Sequence, residues 1–293
     1  MENILLDLFA GDIQIANIAQ TWIGLMMIVT LVCFIVSEIT RNYSQVDKLW
    51  SLMPIAYAGI TLAGFPASPR LWLMTILVAV WGFRLSYNFS RKGGYNKIPW
   101  RGEEDYRWKI MREQPALNGR FRFGIFNLLF ISFYQQLLIM LFSTPLLVAA
   151  QFNDKPFSIY DAIPALFMAV FIITETTADN QLFSFQQQKK NQRPKETRLE
   201  ESLRKGFMSQ GLFSSVRHPN FASEQAIWLS FYFFSVTASG DWLNWTAIGV
   251  LLLILLFQGS SVLTENISCN KYPEYAAYQK AVPRFIPNPF HRK

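Results

Sequence analysis

Hydrophobic residues occur along this chain in long runs rather than in the alternation of a half-buried strand. Seven runs approach the roughly 17 to 25 residues that a helix needs to cross a hydrocarbon core about 30 Å thick. They cover residues 16–38, 49–65, 70–90, 124–150, 160–180, 225–238 and 242–263, the second and sixth being the shortest. The pattern predicts an all-α polytopic membrane protein with about seven transmembrane helices.

Composition supports this interpretation, because 51% of the 293 residues are hydrophobic and 16% are aromatic. An ordinary soluble domain of this size is less apolar. We see no internal repeat and predict a single membrane-embedded domain over residues 1–293. With two histidines and two cysteines in the whole chain, no metal-ligand set is visible, so we predict no metal site.

The basic residues are concentrated in a few loops. Of the 27 Lys and Arg residues, 24 lie between the first and second, third and fourth, and fifth and sixth runs, or in the C-terminal tail. The positive-inside rule therefore places the N-terminus outside and the C-terminus in the cytosol. The net charge of +7 thus reflects membrane orientation, and we expect membrane lipids rather than nucleic acid as partners. The membrane is a bacterial inner membrane or the endoplasmic reticulum, and no protein partner is evident.

Ionisable residues recur at the predicted cytosolic ends of the spans. They are Glu38, Asp47, Arg84, Glu175, Asp179, Glu224 and Glu265. A charge inside a span costs about 2.5 to 3.5 kcal/mol on insertion scales and usually faces a protein interior. One reading is a pocket open to the cytosol; the other is that several of these side chains reach to the lipid headgroups.

Two charged loops contain candidate helices. The stretch "GEEDYRWKIMRE" predicts a surface helix whose Tyr106, Trp108, Ile110 and Met111 lie on lipid headgroups. The second loop predicts a short helix over about 196–205. The alternative for both loops is a solvated, partly disordered linker whose basic face is attracted to the membrane.

The segment "GLFSSVRHPNFASE" holds one of the two histidines. His218 precedes a proline and is biased toward extended backbone, and Asn220 is a suitable cap for the helix that follows. A structural turn explains these two residues. An arginine at a helix start also suits a phosphate, so Arg217 favours an anion site, and both interpretations stand.

Three motifs together resemble the steroid 5-alpha-reductase-like family of membrane reductases, particularly bacterial members of undefined substrate. The matching positions are Glu175, Ala178, Asp179, Gln181 and Phe185; then Gly211, Leu212, Arg217, His218, Pro219, Asn220 and Glu224; then Tyr275, Tyr278, Phe285, Ile286 and Pro287. "VDKLW" and "WGFRL" also resemble this family, so the resemblance runs from about residue 46 to 287.

The resemblance implies a seven-helix reductase that binds NADPH from the cytosol through residues of about 160–290. Asp179, Asn220 and Glu224 match cofactor-binding positions of the family. Further expected cofactor contacts are Gln181, Arg217, His218, Glu265 and Tyr275, and candidates for the ribose phosphate are Lys189, Lys190, Arg193, Arg204 and Lys205. The chain has no G-x-G-x-x-G, so a Rossmann fingerprint is not expected to hold the dinucleotide.

Several positions depart from the family pattern. Ser215 and Phe221 stand where tyrosines are usual, and Ser223 replaces a glycine. Trp50 and Trp81 occupy the positions nearest to the residues that grip the ketone in animal steroid reductases. A steroid substrate is therefore not implied.

The expected reaction is the NADPH-dependent reduction of a carbon-carbon double bond conjugated to a carbonyl, in a lipophilic substrate. Hydride reaches the beta carbon, and a donor must stabilise the charge that develops on the carbonyl oxygen. We rank Asp47, then Arg84, then Tyr87 as that donor. Two alternatives remain: an isoprenylcysteine-type methyltransferase that uses S-adenosylmethionine, and a non-catalytic lipid-binding member of the fold.

Overall fold

A computed structural model describes residues 9, 11–191 and 199–287. Every regular element in these ranges is helical, which confirms the predicted all-α class. The helices are α1 (Ile13–Thr40), α2 (Gln45–Leu49), α3 (Met53–Gly64), α4 (Pro69–Arg91), α5 (Tyr106–Glu113), α6 (Arg120–Gln151), α7 (Ile159–Asn191), α8 (Glu200–Lys205), α9 (Pro219–Ser239), α10 (Ala247–Lys271) and α11 (Tyr275–Ala281). A short 3-10 helix covers Gly211–Ser214.

Five of the described helices are long and apolar enough to cross a membrane, namely α1, α4, α6, α7 and α10. The chain is thus a membrane protein by this measure, as predicted. The run at 49–65 contains α3, which has 12 residues, or about 18 Å of helix. The run at 225–238 lies within α9, which has 21 residues. Neither is among the five.

Local sequence sets several helix ends. The Asp12 side chain accepts a hydrogen bond from the Ile15 amide at 3.0 Å and caps α1. The Ser68 hydroxyl accepts from the Leu71 amide and caps α4, and Pro69 follows at the first helical position. Such caps satisfy amides that have no partner inside the helix.

The chain forms two compact units. Unit 1 comprises Met1–Ala165 and Phe231–Val250, and unit 2 comprises Leu166–Ser230 and Leu251–Lys293. Within unit 1, α3 packs closely on α4, and both α1 and α3 pack against α6. A Cβ atom added at Gly82 of α4 would lie 2.5 Å from the Ser51 carbonyl oxygen. Only glycine fits at this approach.

A buried ion pair ties together the helix ends of unit 1. The guanidinium of Arg70 in α4 meets the Asp161 carboxylate of α7, with Nε to Oδ1 at 2.7 Å and Nη2 to Oδ2 at 3.2 Å. Both residues are almost completely buried. The Thr237 hydroxyl of α9 donates to the same carboxylate at 3.0 Å. This pair therefore fixes three helices and was not predicted from the sequence.

Unit 2 has two apolar clusters. The first packs the middle of α7 against the segment that precedes α9 and consists of Ala178, Phe185, Leu199, Met208 and Phe213. The second contains Phe207, Tyr275 and Tyr278. The first cluster thus holds the turn at 211–214 against α7, and the second holds α11 against Phe207.

Candidate functional site

Glu265 of α10 is the centre of a charged cluster in unit 2. Its carboxylate is 1% exposed and accepts hydrogen bonds from four side chains. Arg217 donates at 2.7 and 3.3 Å, His218 lies at 2.9 Å, Gln279 donates at 2.7 Å and Arg284 at 3.2 Å. The structure thus brings together Arg217, His218 and Glu265, three of the predicted cofactor residues.

Arg217 and His218 also bind the backbone that follows α11. The Arg217 amide donates to the Pro283 carbonyl at 2.8 Å, and the His218 amide to the Arg284 carbonyl at 3.1 Å. The Arg217 guanidinium donates to the Val282 carbonyl as well. The Arg-His pair therefore anchors the C-terminal segment, and the anion that Arg217 binds is the chain's own Glu265.

The burial of His218 favours its neutral form. Burial lowers the pKa of His218, and the hydrogen bond to Glu265 only partly opposes this shift. Because a carboxylate can only accept, we assign the proton to Nε2 of the neutral ring. The ring stacks on Phe221, with centroids 5.4 Å apart and an angle of 14° between the planes. Phe221 thus serves as a packing partner without the hydroxyl of the family's tyrosine.

The cluster carries an excess of positive charge. Arg217 and Arg284 contribute two cations and Glu265 one anion, and neutral His218 adds none. The Arg284 side chain is 31% exposed, whereas that of Arg217 is 8% exposed. Arg284 is therefore the part of the cluster that a ligand anion can reach.

Gln181 supports the turn before the Arg-His pair. Its side-chain oxygen accepts from the Leu212 amide at 3.0 Å. Gly211 has a φ of +62°, and a Cβ atom there would lie 2.6 Å from this same oxygen. In this structure, Gln181 therefore holds the turn at residues 211–214 in position.

The remaining polar candidates of unit 2 are buried or half-buried. Asp179 and Glu224 are each 4% exposed, and Glu224 accepts from the Trp228 indole N–H at 3.1 Å. Asn220 lies half-buried in the first turn of α9. Buried carboxylates and a carboxamide are suited to accept hydrogen bonds from the hydroxyl and amide groups of a ligand.

Tyr275 belongs to an aromatic cluster. Its ring lies edge to face against Phe207, with centroids 4.9 Å apart, and near Tyr278 at 5.6 Å. Burial raises the pKa of Tyr275 to about 12. Tyr275 is thus a neutral packing residue of unit 2, and Tyr278 donates its hydroxyl proton to the Phe213 carbonyl.

A groove of about 870 Å³ lies on unit 2, within the range of small-molecule sites. Its lining includes Lys205, Glu201, Ser209, Ser215 and Glu274. Lys205, a candidate for the ribose phosphate, is paired with Glu201 at 2.5 Å. Apart from Lys205, the predicted cofactor residues are not among its lining residues, whereas Ser215, which departs from the family pattern, is.

Asp47, the first-ranked catalytic candidate, lies in unit 1. Its Oδ2 accepts from the Trp108 indole N–H at 2.9 Å. Burial raises the pKa of Asp47; Arg107 opposes the shift and Asp105 adds to it. The structure corrects the prediction that Trp108 lies on lipid headgroups: Trp108 is 6% exposed because it packs inward onto Asp47, and only Tyr106 is exposed.

The other two catalytic candidates lie on α4. Arg84 is half-buried near the C-terminal end of this helix. Tyr87 is 67% exposed, and its ring lies under the Arg91 guanidinium at 5.6 Å. Tyr87 therefore faces away from the interior of unit 1. Trp81 is fully buried, and Trp50 contacts Phe142 with ring centroids 6.0 Å apart.

Sequence reasoning missed three buried polar residues of unit 1, namely Trp22, Tyr57 and Gln136. The available signal was the pair Gln135-Gln136 inside the apolar run at 124–150, since polar residues within a span are commonly functional. Two predictions fall on residues outside the described ranges. They concern Arg193, a candidate for the ribose phosphate, and residues 196–198 of the predicted short helix.

Comparison with known proteins places the chain in a family. The model of a family described as "Protein of unknown function (DUF1295)" matches residues 33–282. The chain belongs to this family. The DUF1295 family includes steroid 5-alpha-reductase-like proteins, which agrees with the resemblance at that level. An uncharacterized protein of Schizosaccharomyces pombe, C594.04c, is 39% identical over 298 aligned residues, covering 96% of this chain and 84% of the relative. No solved structure matches the chain.

Proposed function

We propose that this DUF1295 protein is an NADPH-dependent reductase of a carbon-carbon double bond conjugated to a carbonyl, acting on a lipophilic substrate from the membrane. One observation carries the proposal. All the residues expected to bind the cofactor come from separate chain segments but belong to unit 2: Asp179, Gln181, Arg217, His218, Asn220, Glu224, Glu265 and Tyr275.

The chemistry of unit 2 suits this cofactor. Phosphates need cations, and the cluster around Glu265 has a surplus positive charge on the partly exposed Arg284. Ribose hydroxyls and a carboxamide need acceptors and donors, which Asp179, Glu224 and Asn220 supply. When bound, NADPH supplies a hydride. Further cations for the ribose phosphate are Lys189, Lys190, Arg204 and Lys205.

The proposed reaction also needs a hydrogen-bond donor for the substrate. When hydride adds to the beta carbon, negative charge develops on the carbonyl oxygen, and a hydrogen-bond donor lowers the barrier. Asp47 is our first choice because burial raises its pKa, which favours a carboxyl group that keeps its proton. Arg84 is the second choice. One hydride and one proton are added in total, and the product is the saturated carbonyl compound.

The orientation forms part of the proposal. We place the N-terminus outside and the C-terminus in the cytosol, with the cofactor-binding residues of unit 2 open to the cytosol. We count α3 and α9 with the five long helices, which gives seven spans. The 21 residues of α9 extend about 30 Å as a helix, which is the thickness of the hydrocarbon core.

The test uses the full-length protein in lipid nanodiscs. NADPH should raise the unfolding temperature, and NADPH oxidation should depend on an added enone lipid. Asn220→Ala and Glu224→Gln should weaken NADPH binding, whereas Glu274→Gln, an exposed control, should not. Stabilisation by S-adenosylmethionine and not by NADPH would favour a methyltransferase instead. Lipid binding with no response to NADPH would favour a non-catalytic member of the fold.

A further inference from the structure

Unit 1 contains buried polar atoms that have no hydrogen-bond partner. Among them are the Trp22 indole N–H, the Tyr57 hydroxyl and both polar atoms of the Gln136 carboxamide, and the hydroxyls of Ser37 and Thr75 are further examples. Trp22, Tyr57 and Gln136 are each 1% exposed or less. Two other buried polar groups of this unit are paired: Lys48 donates to three oxygens, and the Tyr232 hydroxyl donates to the Trp242 carbonyl at 2.8 Å.

These atoms lie on helices that pack together. The rings of Trp22 in α1 and Tyr57 in α3 are in contact, with centroids 4.6 Å apart. Gln136 lies in the part of α6 from Gln135 to Ser143, which packs against both α1 and α3. Three orphaned side chains therefore belong to one apolar bundle, whose buried neighbours include Met26 and Ile139.

The backbone gives a second, independent indication. Immediately before this part, α6 runs as a π-helix over Asn127–Tyr134. π-helical turns are rare and occur frequently at functional sites. The two consecutive glutamines, Gln135 and Gln136, thus follow directly after the π-helical segment of α6.

The chemistry of the orphaned atoms defines the ligand. A buried polar group without a partner is unfavourable, so a ligand that supplies the partner gains affinity. The indole N–H can only donate, and the Tyr57 hydroxyl and the Gln136 amide can donate as well. The complementary group is therefore an acceptor oxygen, and the apolar surroundings require that a lipophilic molecule carry it.

We propose that Trp22, Tyr57 and Gln136 bind a ketone or hydroxyl oxygen of a lipophilic ligand inside unit 1. This set contains neither Asp47 nor Arg84, and we take the oxygen it binds to be a second oxygen of the ligand, distinct from the carbonyl that is conjugated to the reacting double bond. The inference rests on the proposed function only in taking this ligand to be the substrate.

Binding is measured without NADPH on the full-length protein in nanodiscs, with progesterone as a lipophilic diketone and 5-alpha-pregnane as the matching hydrocarbon. Tyr57→Phe and Gln136→Leu should each weaken progesterone binding about 5- to 10-fold, the loss of one hydrogen bond. Pregnane binding should not change. Tyr232→Phe is the matched control, since its hydroxyl is already paired, and should leave progesterone affinity unchanged.

Stability of the ligand-free protein gives a second readout. Tyr57→Phe should not lower the unfolding temperature, because the hydroxyl has no partner to lose, whereas Tyr232→Phe should lower it. The inference is overturned if Tyr57→Phe destabilises the ligand-free protein as Tyr232→Phe does, if neither probe binds, or if both variants keep wild-type affinity for progesterone. Tyr57-dependent binding in a protein that neither binds NADPH nor oxidises it with any enone lipid would keep this inference and refute the reductase.

Discussion

Replacing Glu265 by Gln should cause the largest loss of stability among single changes in unit 2. The substitution removes the carboxylate that accepts from Arg217, His218 and Arg284 and leaves the buried guanidinium of Arg217 without its counter-charge. Breaking one partner of a buried ion pair costs about 3 to 5 kcal/mol. The N–H groups of the Gln carboxamide would also face the N–H donors of the arginines, so the amide does not replace the lost interactions.

The expected shift in unfolding temperature follows from chain size. About 2 °C per kcal/mol applies to a chain at the large end of the surveyed range, so Glu265→Gln should unfold about 6 to 10 °C below the wild type. Thermal unfolding in nanodiscs measures this shift. Glu274→Gln is the matched control, because its pair with Arg204 is 3.5 Å long and largely exposed, and such a pair contributes less than about 1 kcal/mol.

Equal shifts for Glu265→Gln and Glu274→Gln would refute the reasoning. A double-mutant cycle sharpens the test: Arg217→Gln combined with Glu265→Gln should cost clearly less than the two single losses together, because the residues share one interaction. Additive losses would mean that the two side chains do not act as a pair. Limited proteolysis adds a local readout, since loss of the Arg217 contacts should expose the segment after α11.

Asp161→Asn should destabilise unit 1 by about 3 to 5 kcal/mol, because Arg70 stays buried without its partner; an unfolding temperature equal to that of the wild type would contradict this. His218→Gln should reduce the loss of folding stability that occurs at acidic pH. The pKa of His218 in the folded protein lies below 6.5. The stability that it contributes is therefore present above pH 6.5 and is lost as the pH falls toward the folded value. If the free energy of unfolding of the variant depends on pH between 8 and 5 as that of the wild type does, this prediction is wrong. For Asp47 the sign is reversed: its folded pKa lies above 3.8, so its stabilising contribution is present below pH 3.8 and is lost as the pH rises through the folded value. Asp47→Asn should remove that pH dependence of stability. In the wild type, reductase activity should fall as the pH rises and Asp47 ionises, and an activity that does not fall would argue against Asp47 as the donor.

Much of the fold follows from local pattern. The apolar runs predicted helices in the right places, and all five long helices coincide with predicted runs. The lengths of α3 and α9 were harder to predict, because polar residues interrupt both runs and Pro54 lies within the first, and because tertiary packing decides where each helix begins. The surface helix α5 was predicted, but the burial of Trp108 was not.

The sequence named candidate site residues, but it did not predict the contacts that they make. The resemblance named Arg217, His218 and Glu265 among the expected cofactor contacts, and the structure places these three side chains in contact. The motif gave no sign that Arg217 and His218 hold the segment after α11, since their partners lie about 65 residues later in the chain.

By itself, the sequence determined the helical class, the membrane setting and the identity of most candidate residues, because apolar runs, caps and short motifs act over a few neighbouring positions. Only the tertiary structure decided which charges meet. Asp47 and Trp108 are 61 residues apart, and Tyr57 and Gln136 belong to different helices. Whether a buried polar group finds a partner depends on how distant helices pack, and no local pattern encodes that distance.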